Sequence, residues 1–322
     1  MALTCDQNNF LFVKKRLQDC ITVLNCHKWL IDSFILDFFT ECHWEKLPTS
    51  WASALDSLSM QELGEWMSQP DAKNSTVLPL SLLSLKVFNE TRVLDRKAIS
   101  SPSPVVEYLE QQNFKCESVN NEWADIDNNT NISSDDRKMR NIFRRHVKPK
   151  KQYELGRLSE VCALVARTTE CTTVVDAGAG VGHLSRQLGY GYGLNLVCVE
   201  SQEEYGVSAS KFDVQLEKAC LKQGITCHSP PQHLTLTLKP STKNLTEFLD
   251  CNSRLNTKFD RFGLIGLHTC GDLGPTLIRN FVHVPEIQFL LGIGCCYMKM
   301  DLNKFSASFF LYSHVVTELI IF

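Results

Sequence analysis

The first third of the chain carries apolar residues at the spacing of an α-helix. Between residues 11 and 67, large aliphatic and aromatic side chains recur every three or four positions, and a further helix is expected over residues 78–89. Pro48 interrupts the pattern, and Ser50 or Ser53 is suited to cap the helix that follows. The aromatic residues could form a base-stacking platform or a partner groove, but this spacing is more typical of a core, so residues 1–112 are predicted to form a small helical domain. The pattern rests on Val13, Leu17, Ile21, Leu24, Trp29, Leu30, Phe34, Ile35, Phe38 and Phe39.

The pattern changes abruptly between residues 113 and 136. Asn, Ser and Asp dominate there, which is typical of a surface loop or linker. A basic block follows, and such a density of cations favours contact with the phosphates of RNA, although a solvated helix face explains it equally well. The block, Arg137 to Lys151, consists of Arg137, Lys138, Arg140, Arg144, Arg145, His146, Lys148, Lys150 and Lys151.

From residue 150 onward, short apolar runs alternate with segments of helical spacing. Helices are expected over residues 155–165, 202–223, 241–255 and 273–281, and strands over 172–176, 196–199, 233–238, 259–267 and 287–293. Strands that alternate with helices form a parallel sheet with helices on both faces. Residues 137–300 are therefore predicted to be a doubly wound α/β domain.

Two successive strands of this predicted sheet end in a carboxylate. The first ends in Asp176 and is followed by a turn with Gly178, Gly180 and Gly182, and the second ends in Glu200. Glycines at this position let the backbone approach a nucleotide, and an acid after the second strand can accept hydrogen bonds from ribose hydroxyls. Asp176 would oppose a pyrophosphate, which disfavours a nicotinamide dinucleotide and favours a cationic adenosyl ligand, S-adenosylmethionine. The alternative is a packing turn beside a surface acid.

Polar and thiol groups follow the fourth and fifth predicted strands. Because ligands of parallel sheets bind beyond the carboxyl ends of the strands, these groups are candidates for catalysis. Each cysteine taken singly is equally consistent with a small buried side chain. A metal held by His268 and three cysteines stays open, although no metal site is assigned. The candidates are His268, Cys270 and Asp272 after the fourth strand, and Cys295, Cys296 and Tyr297 after the fifth.

Composition adds limits to this picture. The 322 residues are 43% hydrophobic and 21% charged with a net charge of −3, as expected for a soluble protein of about two domains. The N-terminus lacks the pattern of a secretory signal, so a cytoplasmic or nuclear location is expected. The fourteen cysteines are scattered without a C-x-x-C pair, which disfavours a zinc finger and indicates reduced thiols.

Four motifs together resemble the methyltransferase-like protein 25 family, most closely its B branch, also described as ribosomal RNA adenine dimethylase domain-containing. They are KPKKQYE (148–154), VVDAGAGVGHLSR (174–186), GLHTCGDL (266–273) and GCCYMK (294–299). The likeness extends over most of residues 11–300. It implies a class I, Rossmann-like, S-adenosylmethionine-dependent methyltransferase domain. By the same likeness, Asp176, Gly178, Gly180 and Gly182 line the cofactor turn and Glu200 is the ribose acid. His183, directly after the turn, is a further cofactor-binding candidate.

The chain departs from adenine methylases at the fourth strand. Where such enzymes carry an Asn/Asp-Pro-Pro-aromatic motif, this sequence reads HTCG (268–271), and no acid follows the third strand. The methyl acceptor is therefore left open, with RNA as a candidate. His268 is predicted to be the general base, with Asp272 orienting either His268 or the substrate. Cys270 or Cys295 is the alternative as a nucleophile towards a pyrimidine. The competing function is a catalytically inactive binding or scaffold protein.

Residues 301–322 form an atypical apolar tail. They do not resemble the family's continuation, and they are too short and too polar to span a membrane. The expectation is a truncated or alternative product whose sheet has an open edge after the fifth strand.

Overall fold

The protein is described by a computed structural model. The described residues are 7–69, 76–92, 106–107, 110, 138, 141–145, 147–225, 228–239, 245, 249, 259–296, 299–300 and 320–321. The predicted linker at 113–136 lies outside them, as do Arg137, Arg140 and His146 of the basic block. The chain divides into two compact units, one at Thr4–Ala98 and the other comprising Ile99–Phe322 with the first three residues.

The unit at Thr4–Ala98 is helical in its described part. A capping box begins its fourth helix, since Ser59 Oγ accepts from the Glu62 N–H while Glu62 accepts from the Ser59 N–H. Trp51 is buried and its indole N–H donates to Ser81 Oγ at 2.8 Å, which ties two helices together. Its helices are α1 (Gln7–Cys26), α2 (Lys28–Ile31), α3 (Thr49–Asp56), α4 (Met60–Ser68) and α5 (Leu80–Arg92), with 3₁₀ turns at Ile35–Asp37 and His43–Lys46.

Two predictions for this unit are wrong. Pro48, not a serine, precedes α3. The chain leaves helical geometry after α2, where Phe34 is extended, so the aromatic pattern does not build one apolar face. Phe34, Ile35 and Phe39 are 60%, 81% and 87% exposed rather than core residues.

The second unit contains one parallel sheet. Its strands are β1 (Thr173–Ala177), β2 (Asn195–Glu200), β3 (Gln232–Thr235), β4 (Phe262–Leu267), β5 (Ile287–Ile293) and β6 (Ile320–Ile321), in the order β3-β2-β1-β4-β5-β6. Every described strand pair is parallel. The helices are α6 (Pro149–Thr168), α7 (His183–Arg186), α8 (Glu203–Lys222) and α9 (Leu273–His283), and a π-helical turn at Gln187–Gly191 follows α7. The predicted Rossmann-like class I fold is confirmed.

Alternation along the central strands builds a core on both faces of the sheet. Val174 packs in one apolar cluster, with α6, while Val175 packs in another, with α9. All five residues of β1 are buried. Strands covered on both faces read as continuous apolar runs, which is why the sequence pattern located β1, β2 and β5 well.

Other boundaries differ from the prediction. β3 ends at Thr235, because the last bond to β2 is the Leu236 N–H donating to the Glu200 carbonyl. Phe259 is buried against Phe262, but β4 starts only at residue 262, since apolar burial does not require strand pairing. Of the helix expected over 241–255, only two residues are described, Leu245 and Leu249, and both are helical and buried.

The edge of β5 is not fully open. Leu290 and Leu291 pair with Ile320 and Ile321, so the apolar tail covers two residues of the edge that was expected to stay free. No helix in the described ranges combines the length and the apolar character needed to cross a membrane.

Candidate active site

The glycine turn after β1 is bonded to the end of β2. The N–H groups of Gly178 and Ala179 donate to the Val199 carbonyl at 2.8 and 3.3 Å, and the Gly180 N–H donates to Glu200 Oε2 at 2.9 Å. Gly178 and Gly180 have φ of +72° and +57°, the left-handed region that favours glycine. The structure thus brings together the turn and the acid that were predicted to hold a cofactor.

Glu200 is held in one orientation by neighbouring donors. Its Oε1 accepts from Ser201 Oγ at 3.1 Å and from the Gln202 N–H at 3.0 Å. A carboxylate offers about four lone-pair positions, so the three donors leave room for a further hydroxyl. The side chain is only partly buried, and a ligand lying on the turn can reach it.

Asp176 lies beneath the turn rather than on its surface. It is 2% exposed, and Ser185 Oγ donates to its Oδ2 at 2.5 Å. Burial raises the pKa of Asp176 from its ordinary 3.8 to about 6, the bond from Ser185 opposes this rise, and the charge of Glu200 adds to it. Asp176 therefore contributes a buried negative charge under the turn at neutral pH.

A second charged cluster supports the turn, and the sequence reasoning missed it. Arg186 Nε lies 3.3 Å from Asp213 Oδ1, and His233 Nε2 lies 2.6 Å from Asp213 Oδ2. The Arg186 guanidinium also donates to the Val181 carbonyl. These side chains come from α7, α8 and β3, far apart in sequence, so no local pattern could have revealed the cluster. It fixes α7, on which the glycine turn ends.

His183, the remaining cofactor candidate, faces a small cavity. Its ring centroid lies 6.0 Å from that of Phe212. The cavity has a volume of about 90 Å³, and Arg145 and Arg186 also line it. None of the other five candidate cofactor residues lines this cavity. A cofactor role for His183 stays a prediction.

His268 occupies a strained position at the end of β4. Its φ is +67°, a conformation that costs a residue with a side chain about 1–2 kcal/mol, and the Ile293 carbonyl accepts its N–H at 2.8 Å. Its Nε2 lies 3.2 Å from Glu154 Oε2, and Lys151 Nζ lies 3.4 Å from the same oxygen. The carboxylate in contact with His268 is thus Glu154, which the sequence reasoning did not assign, whereas Asp272 was predicted for this role.

The environment keeps Glu154 ionised. Burial by itself raises the pKa of Glu154, but Lys151 and the hydrogen bond from His268 outweigh it, and the net pKa is lowered. Asp272 instead immediately precedes α9, where its carbonyl accepts from Thr276 Oγ1 at 2.6 Å. An ionised Glu154 can orient the His268 ring and stabilise its protonated form.

The predicted cysteines do come together beyond β4 and β5. Cys270 Sγ lies 2.9 Å from Cys295 Sγ, which lies 3.5 Å from Cys296 Sγ, and all three sulfur atoms lie within 4.8 Å of one another. The hydrogen bond between the first two thiols lowers the pKa of Cys270 and raises the pKa of Cys295 to about 12. Tyr297 lies outside the described residues.

An apolar cavity of about 230 Å³ adjoins Cys296. It lies between α9 and β5, and its wall includes Thr269, Leu277, Leu290, Cys296 and Met300. It offers space for a small group next to the polar end of β4.

Comparisons with known sequences agree with this geometry. Residues 150–303 match a family model described as "Methyltransferase domain". A Mus musculus relative named "Probable methyltransferase-like protein 25" is 38% identical over 56 residues, which is 16% of this chain and 9% of the relative. Its Homo sapiens counterpart is 34% identical over 79 residues, 22% of this chain and 13% of the relative. The alignments thus span only a small part of the length of these curated relatives.

Solved methyltransferases share a general likeness. Magnesium protoporphyrin IX methyltransferase from Synechocystis, with bound SAM, is 14% identical with a TM-score of 0.24, over 53% of this chain and 64% of that one. An SAH-bound methyltransferase from Podospora anserina is 12% identical with a TM-score of 0.29, over 61% and 68%. Such scores support no inference about function. The family model matches residues 150–303 as a methyltransferase domain, and the chain is similar to methyltransferase-like protein 25 over short stretches, which is consistent with the resemblance that the motifs predicted.

Proposed function

We propose that this chain is an S-adenosylmethionine-dependent methyltransferase whose cofactor binds at the glycine turn. The observation that carries the proposal is the hydrogen bond from the Gly180 N–H to Glu200 Oε2, within a domain that matches a methyltransferase model. It holds an acid beside a partly exposed backbone turn, where the ribose of an adenosyl ligand can bond to that acid.

The charge of the site supports a cationic ligand. Asp176 lies under the turn and is negative above its pKa of about 6, and the Glu200 carboxylate lies at the rim of the turn. S-adenosylmethionine carries a sulfonium and an ammonium group, which these carboxylates attract. The same charges repel a pyrophosphate, which disfavours a nicotinamide dinucleotide.

His268 and Glu154 form the proposed acid–base pair. The sulfonium of the donor is already activated, so the protein has to align donor and acceptor and remove a proton from the acceptor. His268 lies at the carboxyl end of β4, next to β1, and Glu154 holds its ring at 3.2 Å. The acceptor atom would enter from the side of the 230 Å³ cavity that Cys296 lines.

RNA is the proposed class of acceptor. Lys148 and Lys150 are exposed at the start of α6, the same helix that carries Glu154 to His268. Cations beside the proposed base can hold a phosphate backbone while a nucleotide enters the site. Replacing both lysines by Gln should weaken RNA binding similarly for all sequences and reduce its dependence on salt.

A methyl-label experiment tests the proposed function. Labelled S-adenosylmethionine is incubated with the chain and with total RNA or protein, and label in the RNA fraction is expected. His268→Ala should lower transfer by about 10²–10⁴-fold without changing cofactor affinity, because a general base acts on the acceptor. His283→Ala is the control, since this exposed histidine bonds only to the Arg279 carbonyl of its own helix in the described contacts.

The outcomes separate the competing functions. Cofactor binding without transfer to either fraction would show an inactive binding module and refute the enzyme. Transfer to protein alone would exclude RNA as the acceptor. A trapped adduct with fluoropyrimidine RNA would replace His268 by Cys270 or Cys295 as the reacting group.

A further inference from the structure

We propose that Cys270, Cys295 and Cys296 bind a zinc ion. Their sulfur atoms lie within 4.8 Å of one another, on two loops that are separated in sequence and brought together by the pairing of β4 with β5. Three sulfur donors select a soft or borderline metal, and zinc commonly takes three protein ligands and a water.

The backbone holds the two cysteine loops against each other without help from the thiols. The Gly271 N–H donates to the Cys296 carbonyl at 3.2 Å, and the Lys299 N–H donates to the same carbonyl at 3.2 Å. Gly271 has a φ of +61°, and a Cβ at this position would lie 2.9 Å from the Lys299 carbonyl oxygen. The close approach of the loops therefore requires glycine here, and it places Cys270 beside the two adjacent cysteines.

Adjacent residues rarely direct their side chains to one point. In a strand, successive side chains point to opposite faces. Because β5 ends at Ile293, the chain beyond it is free to turn, and Cys295 Sγ and Cys296 Sγ lie only 3.5 Å apart. The turn thus presents both sulfur atoms to Cys270.

The distances require only small adjustments for a metal. With Zn–S bonds of about 2.3 Å, sulfur atoms in a tetrahedral site lie about 3.8 Å apart. The Cys270–Cys295 separation of 2.9 Å would lengthen and the widest separation would shorten from at most 4.8 Å. No fourth His, Cys, Asp or Glu atom from the described ranges joins this group, which leaves one position for a water. A disulfide between Cys270 and Cys295 is the competing state, and it would leave Cys296 unused.

Metal binding can be measured without any methyl donor. The whole chain is reduced, freed of metal and titrated with zinc against a chromophoric chelator, and one equivalent is expected to bind. Cobalt in place of zinc should give thiolate-to-metal charge-transfer absorption. Cys270→Ser should lower zinc affinity by more than about 100-fold, because even substitution of residues that only hydrogen-bond to metal ligands lowers metal affinity by about 10–100-fold. Cys26→Ser, an exposed cysteine outside the cluster, should leave it unchanged.

A second variant distinguishes loss of a metal ligand from loss of the folded structure. Cys295 is exposed, and Cys295→His keeps a ligand, so it should still bind one zinc, with weaker charge-transfer absorption from cobalt. Absence of zinc binding by the reduced native chain would overturn the proposal. So would zinc binding that survives Cys270→Ser unchanged, or a Cys270–Cys295 disulfide that persists under reduction.

Discussion

The two halves of the sheet's carboxyl edge are built differently. At β1 and β2 the acids are held by hydrogen bonds, with Glu200 accepting from the Gly180 N–H and Asp176 accepting from buried Ser185. At β4 and β5 the polar groups are more exposed, and His268 sits in a left-handed conformation. The first half is a hydrogen-bonded, rigid frame at which the cofactor is proposed to bind, whereas the second carries the proposed catalytic groups on loops.

The difference separates stability from chemistry. Substitutions that remove a buried charged or hydrogen-bonded partner in the β1–β2 half should lower the stability of the fold strongly, because each lost partner leaves a buried polar group without a hydrogen bond. The thiols of the other half contact one another and are exposed or partly exposed, so changing their partners should have little effect on the stability of the fold. Substitutions in the two halves should therefore differ in kind as well as in size.

The largest effect is expected from the buried ion pair under the turn. Asp213→Ala should lower the free energy of unfolding by about 3–5 kcal/mol, because it leaves the buried Arg186 guanidinium without its carboxylate partner. Burial lowers the pKa of Arg186, and the charge of Asp213 raises it. Asp213 therefore offsets part of the cost of burying the Arg186 charge. Urea denaturation measures the change, with exposed Glu204→Ala as the control. Replacing Asp213 by Leu and Arg186 by Met together should restore much of the lost free energy of unfolding. Equal losses of stability in Asp213→Ala and Glu204→Ala would contradict the description of this half as a rigid frame.

Asp176→Asn should have the next largest effect, and it should be stabilising. A carboxyl whose pKa rises from 3.8 to about 6 on folding lowers stability above pH 6, where both states are ionised and the folded state buries the charge. As the pH falls from 6 to 3.8 the folded state takes up the proton first, and the cost disappears. The variant should therefore gain up to about 3 kcal/mol at pH 8 and nothing below pH 4, as followed by denaturation across this range.

The same substitution should weaken binding of S-adenosylmethionine at pH 8. Removing the negative charge under the turn removes part of the attraction for the cation. A variant that is both less stable at pH 8 and unchanged in affinity would refute the assigned environment of Asp176.

A matched pair of glycines tests the contact between the two halves. Gly178 and Gly180 both have positive φ, but a Cβ on Gly178 would meet Leu273 Cδ2 at 3.0 Å whereas one on Gly180 would meet nothing within 4 Å. Gly180→Ala should cost about 1–2 kcal/mol from backbone strain alone. Gly178→Ala should cost about 1 kcal/mol more, because Leu273 begins α9 in the other half. Thermal denaturation compares them, and equal costs would show that the contact is loose.

The smallest effect is expected at the exposed thiols. Cys295→Ser should leave the melting temperature of the reduced, metal-free chain unchanged, because Cys295 lies at the surface. Cys198→Ser in β2 should lower it, since this cysteine is 1% exposed and a hydroxyl there would need a partner. If the two substitutions destabilise equally, the halves do not differ as described.

The sheet and its ligand edge could be predicted because their signals are local. Asp176 and Glu200 each end an apolar run, and β5 is apolar from Ile287 to Ile293. Periodicity also misled, since Phe39 fits a helical pattern but is exposed. Phe39 lies in a turn beyond α2 and beyond the 3₁₀ turn at Ile35–Asp37, so it is not part of a helical apolar face.

Contacts between distant residues could not be predicted. Glu154 reaches His268 across 114 positions, and Asp213 joins Arg186 and His233 from three elements. Only the packing of α6 and α8 on the sheet sets these distances. The cysteines were predicted to share an edge, but their sulfur separations depend on turns beyond β4 and β5 that spacing does not reveal.

Calorimetric titration with S-adenosylmethionine tests most directly whether the β1–β2 half is the cofactor site. The native chain should bind one equivalent, and Glu200→Gln, which keeps the shape of the side chain, should weaken binding by about 10- to 100-fold through loss of a charged acceptor. Glu204→Gln, an exposed acid in α8, should bind as the native chain does. Unchanged affinity in Glu200→Gln, or binding of a nicotinamide dinucleotide instead of S-adenosylmethionine, would contradict the assignment.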